Sequence, residues 1–391
     1  MNRRELGRLL GGAVISAASA SRVVGANDRI GMALIGSGRR GREVMKAFLD
    51  SGRAELRCIC DVYDEHREVA KRILVKEGPA PFECVAHEDA LSRPDIDAVL
   101  IAAPDHLHID LASAALSAGK HVYLEKPTTH RYAEQTRLHE AVYTSGKVLQ
   151  CGMQQRSGPH YIRAKEELFD QGKLGKVVIV RATWSNFPWQ TRHILPRPKP
   201  PGLDWERFLG HAPQRPFEWI RYDSWRYFPD YGNGLFADIL THWADVAQWM
   251  MNETHPLNAA TTGGIYKLHD GRENPDTVNA ILQYAGGWNL SFESTVLPVK
   301  DQRATVVFLG TEGSLDISRE KYIFAPNRGH PETVEANGRL ETAHANSFLD
   351  AIRSGSKPSA DLETGIAACN PVHLARLAYW RKARVNWQDI S

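Results

Sequence analysis

Apolar and polar positions follow two different patterns along the chain, and the change between them comes near Gly152. Up to that point, short apolar runs predict five strands, RIGMALIG, AELRCICD, DAVLIAAP, KHVYLEK and KVLQCG. Apolar residues at helical spacing predict helices between them, over 40–49, 65–75, 109–117 and 133–145. Strands that alternate with helices in this way predict a parallel sheet covered by helices on both faces.

After Gly152, strands follow one another with few helices between them. A helix over about 161–171 and the strand KVVIVRATW come first, and a final helix is expected over about 364–381. Between them, the runs TVNAILQYA, GWNLSFEST, RATVVFLG, GSLDIS and KYIFAP predict an antiparallel sheet. The chain is therefore predicted to hold an α/β domain over 29–152 and an α+β domain over 153–391, whose last helix can pack back on the first domain.

One predicted helix, YGNGLFADILTHWADVAQWM, carries polar residues where a solvated helix usually carries Lys, Glu and Arg. Asp238, His242 and Asp245 recur at spacings of four and three, so they share one stripe of the helix. Three interpretations are open: a solvated face, the wall of an active site, or a metal site built from these three residues. The opposite side of the helix is apolar and is formed by Phe236, Ile239, Trp243, Val246 and Met250.

A glycine-rich loop, GSGRRG, follows the first strand and precedes a helix. Gly36, Gly38 and Gly41 complete G-x-G-x-x-G, which allows a tight turn, close approach of a pyrophosphate and close packing of helix on strand. Together with the pattern of strands and helices, this loop predicts a Rossmann dinucleotide-binding domain. The loop residues expected to contact the cofactor are Gly36, Ser37, Gly38, Arg39, Arg40 and Gly41.

Asp61 ends the second strand, 25 positions after Gly36, which is close to the spacing of the acidic residue that binds a ribose 2′-hydroxyl. A carboxylate at this place repels a 2′-phosphate, so it favours NAD over NADP. Because Arg39 or Arg40 could meet a 2′-phosphate, NADP stays an alternative.

Glu125, Lys126 and Pro127 come at the end of the fifth strand, where open α/β sheets bind their ligands. A lysine there can bind a substrate hydroxyl and stabilise developing negative charge. The alternative is a surface lysine followed by a proline that begins a loop.

Aromatic residues are concentrated in one region, since seven of the ten tryptophans lie between Trp184 and Trp249. Aromatic rings next to polar groups suit the apolar faces and polar rims of sugars, although a loop packed on a core or on a partner subunit explains them as well. The residues assigned to substrate on position alone are Gln154, Arg156, Trp225, Tyr231 and Asp245.

The N-terminus has a basic start, a short apolar run and then small residues, which is the layout of a signal peptide over 1–26. Arg3 and Arg4 loosely match a twin-arginine signal and predict an exported, periplasmic protein. The apolar run is too short to span a bilayer, so no stable membrane anchor is expected. The alternative is an N-terminal extension without a signal function, on a cytoplasmic protein.

The net charge of +2 gives no case for a nucleic-acid surface. The five cysteines have no spacing typical of a zinc site or a disulfide framework, and we expect them to pack in the core. No metal is predicted.

Three segments, GSGRRG, AAPDHLHIDLASAALSAGKHVYLEKP and GNGLFADILTHWAD, resemble the Gfo/Idh/MocA oxidoreductase family, named after glucose–fructose oxidoreductase and inositol dehydrogenase. The resemblance runs from Arg29 to the C-terminus and implies a Rossmann domain followed by an α/β domain with a large, open, mostly antiparallel sheet. It also implies a homo-oligomer, a dimer or tetramer. Where the family often has glycine, this chain has Leu240, which could crowd the ligand.

The family's residues carry over to matching positions. Lys126 of E-K-P matches the catalytic lysine, and Asp238 and His242 match the family's Asp and His. Glu125 and Pro127 would shape the nicotinamide region, and the segment that holds Pro104, His106 and His108 would line the cofactor.

The sequence therefore predicts an NAD(P)-dependent oxidoreductase that acts on a sugar, glycoside or polyol hydroxyl. His242 would accept the hydroxyl proton, Lys126 would stabilise the oxygen, and Asp238 would orient the substrate. Because an exported enzyme has no free NAD pool, the cofactor is expected to stay bound. The alternatives are a redox-neutral NAD-dependent glycosidase, which would release an aglycone, and a sensor without turnover.

Overall fold

A computed structural model of the protein describes residues 29–75, 79–185, 195–297 and 304–390. The predicted signal segment, residues 1–26, lies outside these residues. The described chain forms two sheets, and each is the centre of its own domain.

The first sheet has six parallel strands in the order β3-β2-β1-β4-β5-β6. Its central strand IGMALI is buried on both faces, which accounts for its continuous apolar sequence. The strand order reverses between β1 and β4, and open α/β sheets bind ligands beside such a point. The strands are β1 (Ile30–Ile35), β2 (Ala54–Cys60), β3 (Phe82–Cys84), β4 (Ala98–Ile101), β5 (His121–Leu124) and β6 (Leu149–Cys151).

Helices cover both faces of this sheet. The longer ones are amphipathic, and α1 buries Val44, Met45 and Phe48 against the strands. These helices are α1 (Arg39–Asp50), α2 (Asp64–Leu74), α3 (His87–Leu91), α4 (His108–Ser117) and α5 (Glu134–Ser145).

The second sheet has nine strands in the order β14-β13-β12-β11-β7-β10-β9-β8-β15, and every neighbouring pair is antiparallel except β7 and β10. Strand β9 alternates between buried and exposed residues, so one face of the sheet packs on helices and the other is open. The strands are β7 (Val177–Thr183), β8 (Asn258–Gly264), β9 (Thr277–Gln283), β10 (Asn289–Thr295), β11 (Thr305–Gly310), β12 (Gly313–Ile317), β13 (Lys321–Pro326), β14 (Glu332–Glu335) and β15 (Val385–Asn386).

In the second half of the chain, the described residues form six further helices. Two segments with the wider π-helical turn adjoin them, Lys165–Asp170 after α6 and Phe236–Leu240 before α9. The helices are α6 (Pro159–Ala164), α7 (Trp205–Leu209), α8 (Trp219–Asp223), α9 (Thr241–Met251), α10 (Leu340–Ser354) and α11 (Leu362–Arg381).

The last two helices also contact the first domain. Phe348 of α10 packs edge-on against Phe48 and Tyr123, with ring centroids 5.8 Å and 6.0 Å apart. The backbone N–H of Cys151 in β6 donates to the carbonyl of Ala360, just before α11. The C-terminal helices therefore hold the two sheets in one fixed arrangement.

The predicted architecture, a parallel Rossmann sheet followed by a large, mostly antiparallel sheet, is confirmed. The sequence patterns missed the short strands β3, β8, β14 and β15 and the four helices α3, α7, α8 and α10. On the open face of the second sheet, Val178, Ile179 and Ile281 are exposed. The expected homo-oligomer stays a prediction. Within the described ranges, no helix has the length and apolar character needed to cross a bilayer.

Replacing Gly365 by alanine tests how closely α11 contacts the first domain. A Cβ atom there would lie 2.1 Å from Cys151 Sγ and 2.4 Å from Thr128 Oγ1. Helix propensity alone favours alanine by about 1 kcal/mol, whereas forced overpacking costs about 1–3 kcal/mol. We therefore expect urea unfolding to show a loss of stability for Gly365→Ala.

Glu363→Ala, at an exposed position on the same helix, is the matched control and should change stability little. A stabilised Gly365→Ala variant would show that α11 is not in close contact with β6.

Candidate active site

A cavity of about 1380 Å³ lies between the two domains, at the carboxyl ends of the first sheet. Drug-sized ligands usually occupy about 300–1,000 Å³, so this space can take a dinucleotide together with a small substrate. Most of the residues predicted from the sequence line it: Gly36, Gly38, Arg39, Arg40, Asp61, Pro104, Glu125, Lys126, Trp225, Asp238 and His242.

The glycine loop has the geometry of a pyrophosphate cradle. Gly36 has a φ of +87°, and a Cβ there would lie 2.7 Å from the backbone of Ala102. A Cβ on Gly41 would lie 2.1 Å from the Gly36 carbonyl oxygen, whereas one on Gly38 would meet nothing within 4 Å. The N-terminus of α1 has no side-chain cap, so its backbone N–H groups remain available for an anion.

Asp61 is held by hydrogen bonds from the glycine loop and from its own neighbourhood in the chain. Its Oδ2 accepts hydrogen bonds from the backbone N–H and the hydroxyl of Ser37, at 2.7 Å and 3.1 Å, and its Oδ1 accepts from the backbone N–H of Tyr63 at 3.0 Å. A carboxylate can accept about four hydrogen bonds, so Oδ1 retains capacity for a ribose hydroxyl. Asp61 therefore suits the ribose of NAD.

The two loop arginines are directed elsewhere. Arg40 forms an ion pair with the buried Glu125 at 2.9 Å. Arg39 is largely exposed and lies 3.7 Å from Glu43. The Arg40 guanidinium is therefore already paired, which weakens the argument for a 2′-phosphate and for NADP.

Glu125 connects the loop to the end of β5. Gln154 donates to the same Glu125 Oε1 atom as Arg40, at 3.1 Å. Burial alone would raise the pKa of Glu125, but Arg40 and Lys126 together outweigh it and the pKa lies below its usual value. A Cβ on Gly152 would lie 2.8 Å from Glu125 Oε1, so only glycine allows this approach.

Lys126 and Asp238 join the two domains inside the cavity. Lys126 Nζ donates to the backbone oxygen of Asp238 at 3.0 Å and to its Oδ1 at 3.2 Å. Arg226 Nε lies 3.0 Å from the same carboxylate. Burial would raise the pKa of Asp238, but Arg226 and Lys126 outweigh it and lower the pKa. An ammonium group has three donors, so Lys126 can still donate to a bound oxygen.

His242 lies one helical turn after Asp238 and faces the same cavity. Its Nδ1 is buried without a hydrogen-bond partner. Burial and the nearby Lys126 hold the pKa of His242 well below its usual value. The imidazole is therefore neutral at neutral pH and can accept a proton.

The π-helical turn Phe236–Leu240 contains Asp238 and leads directly into α9, which carries His242. Such turns are rare and frequent at functional sites. Because Leu240 is fully buried in the core of the second domain, the expectation that it would crowd the ligand is wrong. The stripe is also not a solvated face, since Asp238, His242 and Asp245 are all buried.

Asp105 was missed by the sequence analysis, although it comes directly after Pro104. Its buried carboxyl lines the cavity and accepts from the backbone N–H of Asn233. Burial raises the pKa of Asp105 to about 8, Asp238 acts in the same direction, and Arg226 opposes both. At neutral pH a protonated Asp105 thus lies in the same site as an ionised Asp238. The only sequence signal was an acidic residue after the apolar strand β4.

Several predicted residues do not line the cavity. Asp245 accepts from Arg156 Nε at 2.9 Å and 3.1 Å, so it does not contact His242. His108 contacts the carbonyl oxygens of Pro127 and Ala103, at 2.7 Å and 3.0 Å, and supports the cavity from behind. The predicted residues outside the cavity lining are Ser37, Gly41, His108, Gln154, Arg156, Tyr231 and Asp245.

The partners of Asp238 and Asp245 are relevant to the alternative that these residues and His242 form a metal site. Asp245 is paired with Arg156, and Asp238 with Arg226 and Lys126. In the described part of the chain, no group of three or more His, Cys, Asp or Glu residues could hold a metal ion.

Residues 199–231 form a covering segment over one side of the cavity. Leu203 pairs with Tyr63 in an isolated β-bridge, and the backbone N–H of Asp204 donates to the carbonyl of Val62 at 2.8 Å. Tyr222 packs edge-on against Tyr63, with ring centroids 5.9 Å apart. The aromatic residues of this segment thus form a cluster against the Asp61 side of the first domain.

Comparison with known proteins agrees with this geometry. Residues 30–153 match the family model described as the oxidoreductase family with an NAD-binding Rossmann fold, and residues 162–316 match the GFO/IDH/MocA C-terminal domain. Myo-inositol 2-dehydrogenase of Thermotoga maritima is 29% identical over 93% of this chain and 99% of its own. Inositol 2-dehydrogenase of Rhizobium meliloti is 26% identical over 86% of this chain and 92% of its own.

A solved structure has the same fold at lower identity. Levoglucosan dehydrogenase, in complex with NADH and levoglucosan, superposes with a TM-score of 0.73 and 20% identity, over 92% of this chain and 99% of its own.

The raised pKa of Asp105 makes a prediction about stability and pH. Its folded value of about 8 lies above that of an unfolded aspartate, so folding takes up a proton between about pH 4 and pH 8. Wild-type protein should therefore lose stability relative to Asp105→Asn as the pH rises through this window, by on the order of a few kcal/mol. Urea unfolding at several pH values measures this difference.

Asp89→Asn removes an exposed carboxyl group from the same domain and corrects for the general effect of the substitution. A difference between wild type and Asp105→Asn that is constant with pH would mean that Asp105 is ionised in the folded protein.

Proposed function

The chain belongs to the Gfo/Idh/MocA oxidoreductase family, and on this premise we propose that it oxidises a hydroxyl group of a sugar, glycoside or polyol, with NAD as hydride acceptor. The observation that carries the proposal is the meeting of Lys126, Asp238 and His242 in one cavity with the glycine loop and Asp61. The relatives named as inositol dehydrogenases support a polyol or sugar substrate.

When bound, NAD supplies the acceptor for the hydride, and the residues of this chain position and deprotonate the hydroxyl group. His242 is neutral and faces the cavity, so it accepts the hydroxyl proton on an imidazole nitrogen. Lys126 donates a hydrogen bond to the same oxygen and stabilises its developing negative charge. Asp238 holds the Lys126 ammonium group in place through its backbone and side-chain oxygens.

Arg226 and Asp105 complete the electrostatics of this site. Arg226 neutralises Asp238, so Lys126 keeps a donor for substrate instead of forming a closed pair with one carboxylate. Asp105 can donate a hydrogen bond while it is protonated, because a neutral carboxyl group carries one O–H. It therefore suits a second hydroxyl or a carbonyl oxygen of the substrate.

Four substitutions test these roles. Removing a positioned acid–base group costs on the order of a hundred- to ten-thousand-fold in rate. Lys126→Ala and His242→Ala should lose the most turnover, and Asp238→Asn should follow closely. Asp245→Asn, on the same helix but paired with Arg156 outside the cavity, is the matched control and should lose the least. The rate at which the bound NAD is reduced, followed by NADH absorbance with a panel of inositols and hexoses, gives the comparison.

All four variants should keep bound nucleotide, because the glycine loop and Asp61 are unchanged. Near-wild-type turnover by His242→Ala would contradict the catalytic assignment. Product analysis separates the two chemistries: an oxidised sugar supports the dehydrogenase, whereas a released aglycone without net oxidation would support the redox-neutral glycosidase.

We further propose that the protein is exported and that its cofactor stays bound through turnover. The signal-like residues 1–26 motivate export, and outside the cytoplasm bound NAD has to be regenerated in place. The covering segment supports retention, because it packs against the Asp61 side of the cavity through Leu203, Asp204 and Tyr222.

Retention is measured by nucleotide content after extensive dialysis. We expect near-stoichiometric NAD in the wild-type protein. Without added cofactor, turnover should continue when a second, reducible sugar is present to take the hydride back from the bound NADH. Tyr222→Ala should release nucleotide, because it removes a ring that packs on Tyr63 and lines the cavity. Tyr266→Ala, at an exposed tyrosine elsewhere, should not. A wild-type protein that purifies empty and depends on added NAD would contradict retention.

A further inference from the structure

Arg319 is a cation of the cavity wall to which the reaction described above gives no role. It comes two residues after the end of β12 and lines the cavity. Its guanidinium group lies over the ring of Trp184, 5.2 Å from the centroid. The Trp184 ring is in turn tilted against the His242 ring, with centroids 6.2 Å apart. Arg319 and the proposed base His242 therefore contact the same indole ring.

Arg319 differs from the other arginines of the inner cavity in its partners. Arg40 is paired with Glu125, and Arg226 with Asp238. In the ranges that the structure describes, Arg319 forms no ion pair, and its buried Nε donates no hydrogen bond. Burial lowers the pKa of the Arg319 guanidinium, Glu341, which also lines the cavity, acts against burial, and Arg40 acts with it.

A guanidinium group that is partly withdrawn from water and has no paired carboxylate carries a desolvation cost that no ion pair offsets. An anionic ligand that entered the cavity would remove this cost. Arginine suits carboxylates as well as phosphates, since its planar fork donates two parallel hydrogen bonds to two oxygens of one group. The free donors of Arg319 therefore point to an anionic group on a ligand.

The position of Arg319 distinguishes the substrate from the cofactor as the source of this anion. The pyrophosphate cradle is formed by Gly36, Gly38 and Gly41 at the N-terminus of α1. Arg319 instead shares Trp184 with His242, which is the place of the reacting hydroxyl group. An anion bound there lies on the same molecule as that hydroxyl group.

We propose that Arg319 binds a carboxylate of the substrate and that the preferred substrates are acidic sugars, such as uronic acids. This inference rests on the proposed function, because it assumes that His242 marks the reacting hydroxyl group. The carboxylate on Arg319 and the hydroxyl group on Lys126 and His242 then fix the sugar at two points.

The experiment compares acidic sugars with neutral sugars of the same stereochemistry. The ratio of kcat/KM for D-glucuronate to that for D-glucose, and for D-galacturonate to D-galactose, is measured for wild type and Arg319→Met. A hydrogen bond to a charged group corresponds to roughly a ten- to hundred-fold effect in binding. We expect both ratios to favour the acid in wild type and to fall by that factor in Arg319→Met, mainly through KM.

Arg328→Met is the matched control, because Arg328 is exposed beyond β13 of the same sheet, and it should leave both ratios unchanged. Nucleotide content of the purified variants separates the two sources of anion. If Arg319→Met loses NAD and slows acidic and neutral sugars equally, Arg319 serves the cofactor and the proposal is overturned.

Two further outcomes separate this inference from the proposed function. If wild type oxidises neutral sugars and not uronates, the inference is wrong while the proposed function stands. If no sugar is oxidised, the proposed function fails, and calorimetric binding of D-glucuronate to the holoprotein then decides the inference alone. Binding by wild type that Arg319→Met weakens would support it, whereas no binding, or equal binding by both proteins, would overturn it.

Discussion

The contact between Lys126 and Asp238 is the interaction on which the site depends. Lys126 belongs to the end of β5 in the first sheet, and Asp238 to the π-helical turn of the second domain. A cofactor held by the first domain and a substrate held by the second can react only if the two domains keep a fixed distance. This short pair fixes that distance at the cavity, and the packing of α10 and α11 on the first sheet fixes it on the far side.

Burial then sets the charge of each group around this contact. Asp238 stays ionised because two cations surround it, whereas Asp105, which no cation contacts as closely, holds its proton up to a pKa of about 8. His242 stays neutral because burial and neighbouring cations disfavour a second positive charge. The cavity therefore offers a proton acceptor, a donor to oxygen and a free guanidinium at Arg319, each in the state that its role needs.

Much of this site could be predicted from local sequence. The glycine loop, Asp61 and Lys126 all come at the ends of apolar strands, where the topology of a parallel sheet gathers them. Ion pairs between residues that lie far apart in the sequence could not be predicted from the periodicity of apolar and polar residues. The partner of Asp245 is Arg156, 89 residues away, so periodicity alone gave no reason to separate Asp245 from its stripe. Asp105 was missed because its raised pKa comes from burial and from Asp238, on a distant segment.

The fold was read less completely where elements are short or weakly apolar. Strand β8 has the sequence NAATTGG, which lacks the large β-branched and aromatic residues that indicate strands. It forms a strand because it pairs with β9 and β15. Helix α10 did carry a readable signal, since Leu340, His344, Ala345, Phe348 and Leu349 form one buried face.

A crystal structure of the NAD complex would test the central claim most directly. The account predicts the pyrophosphate at the glycine loop, a ribose hydroxyl on Asp61, and the nicotinamide ring in the cavity beside Lys126, with His242 facing the same space. A nicotinamide ring that lies outside this cavity, or that is separated from Lys126 and His242 by other side chains, would contradict it.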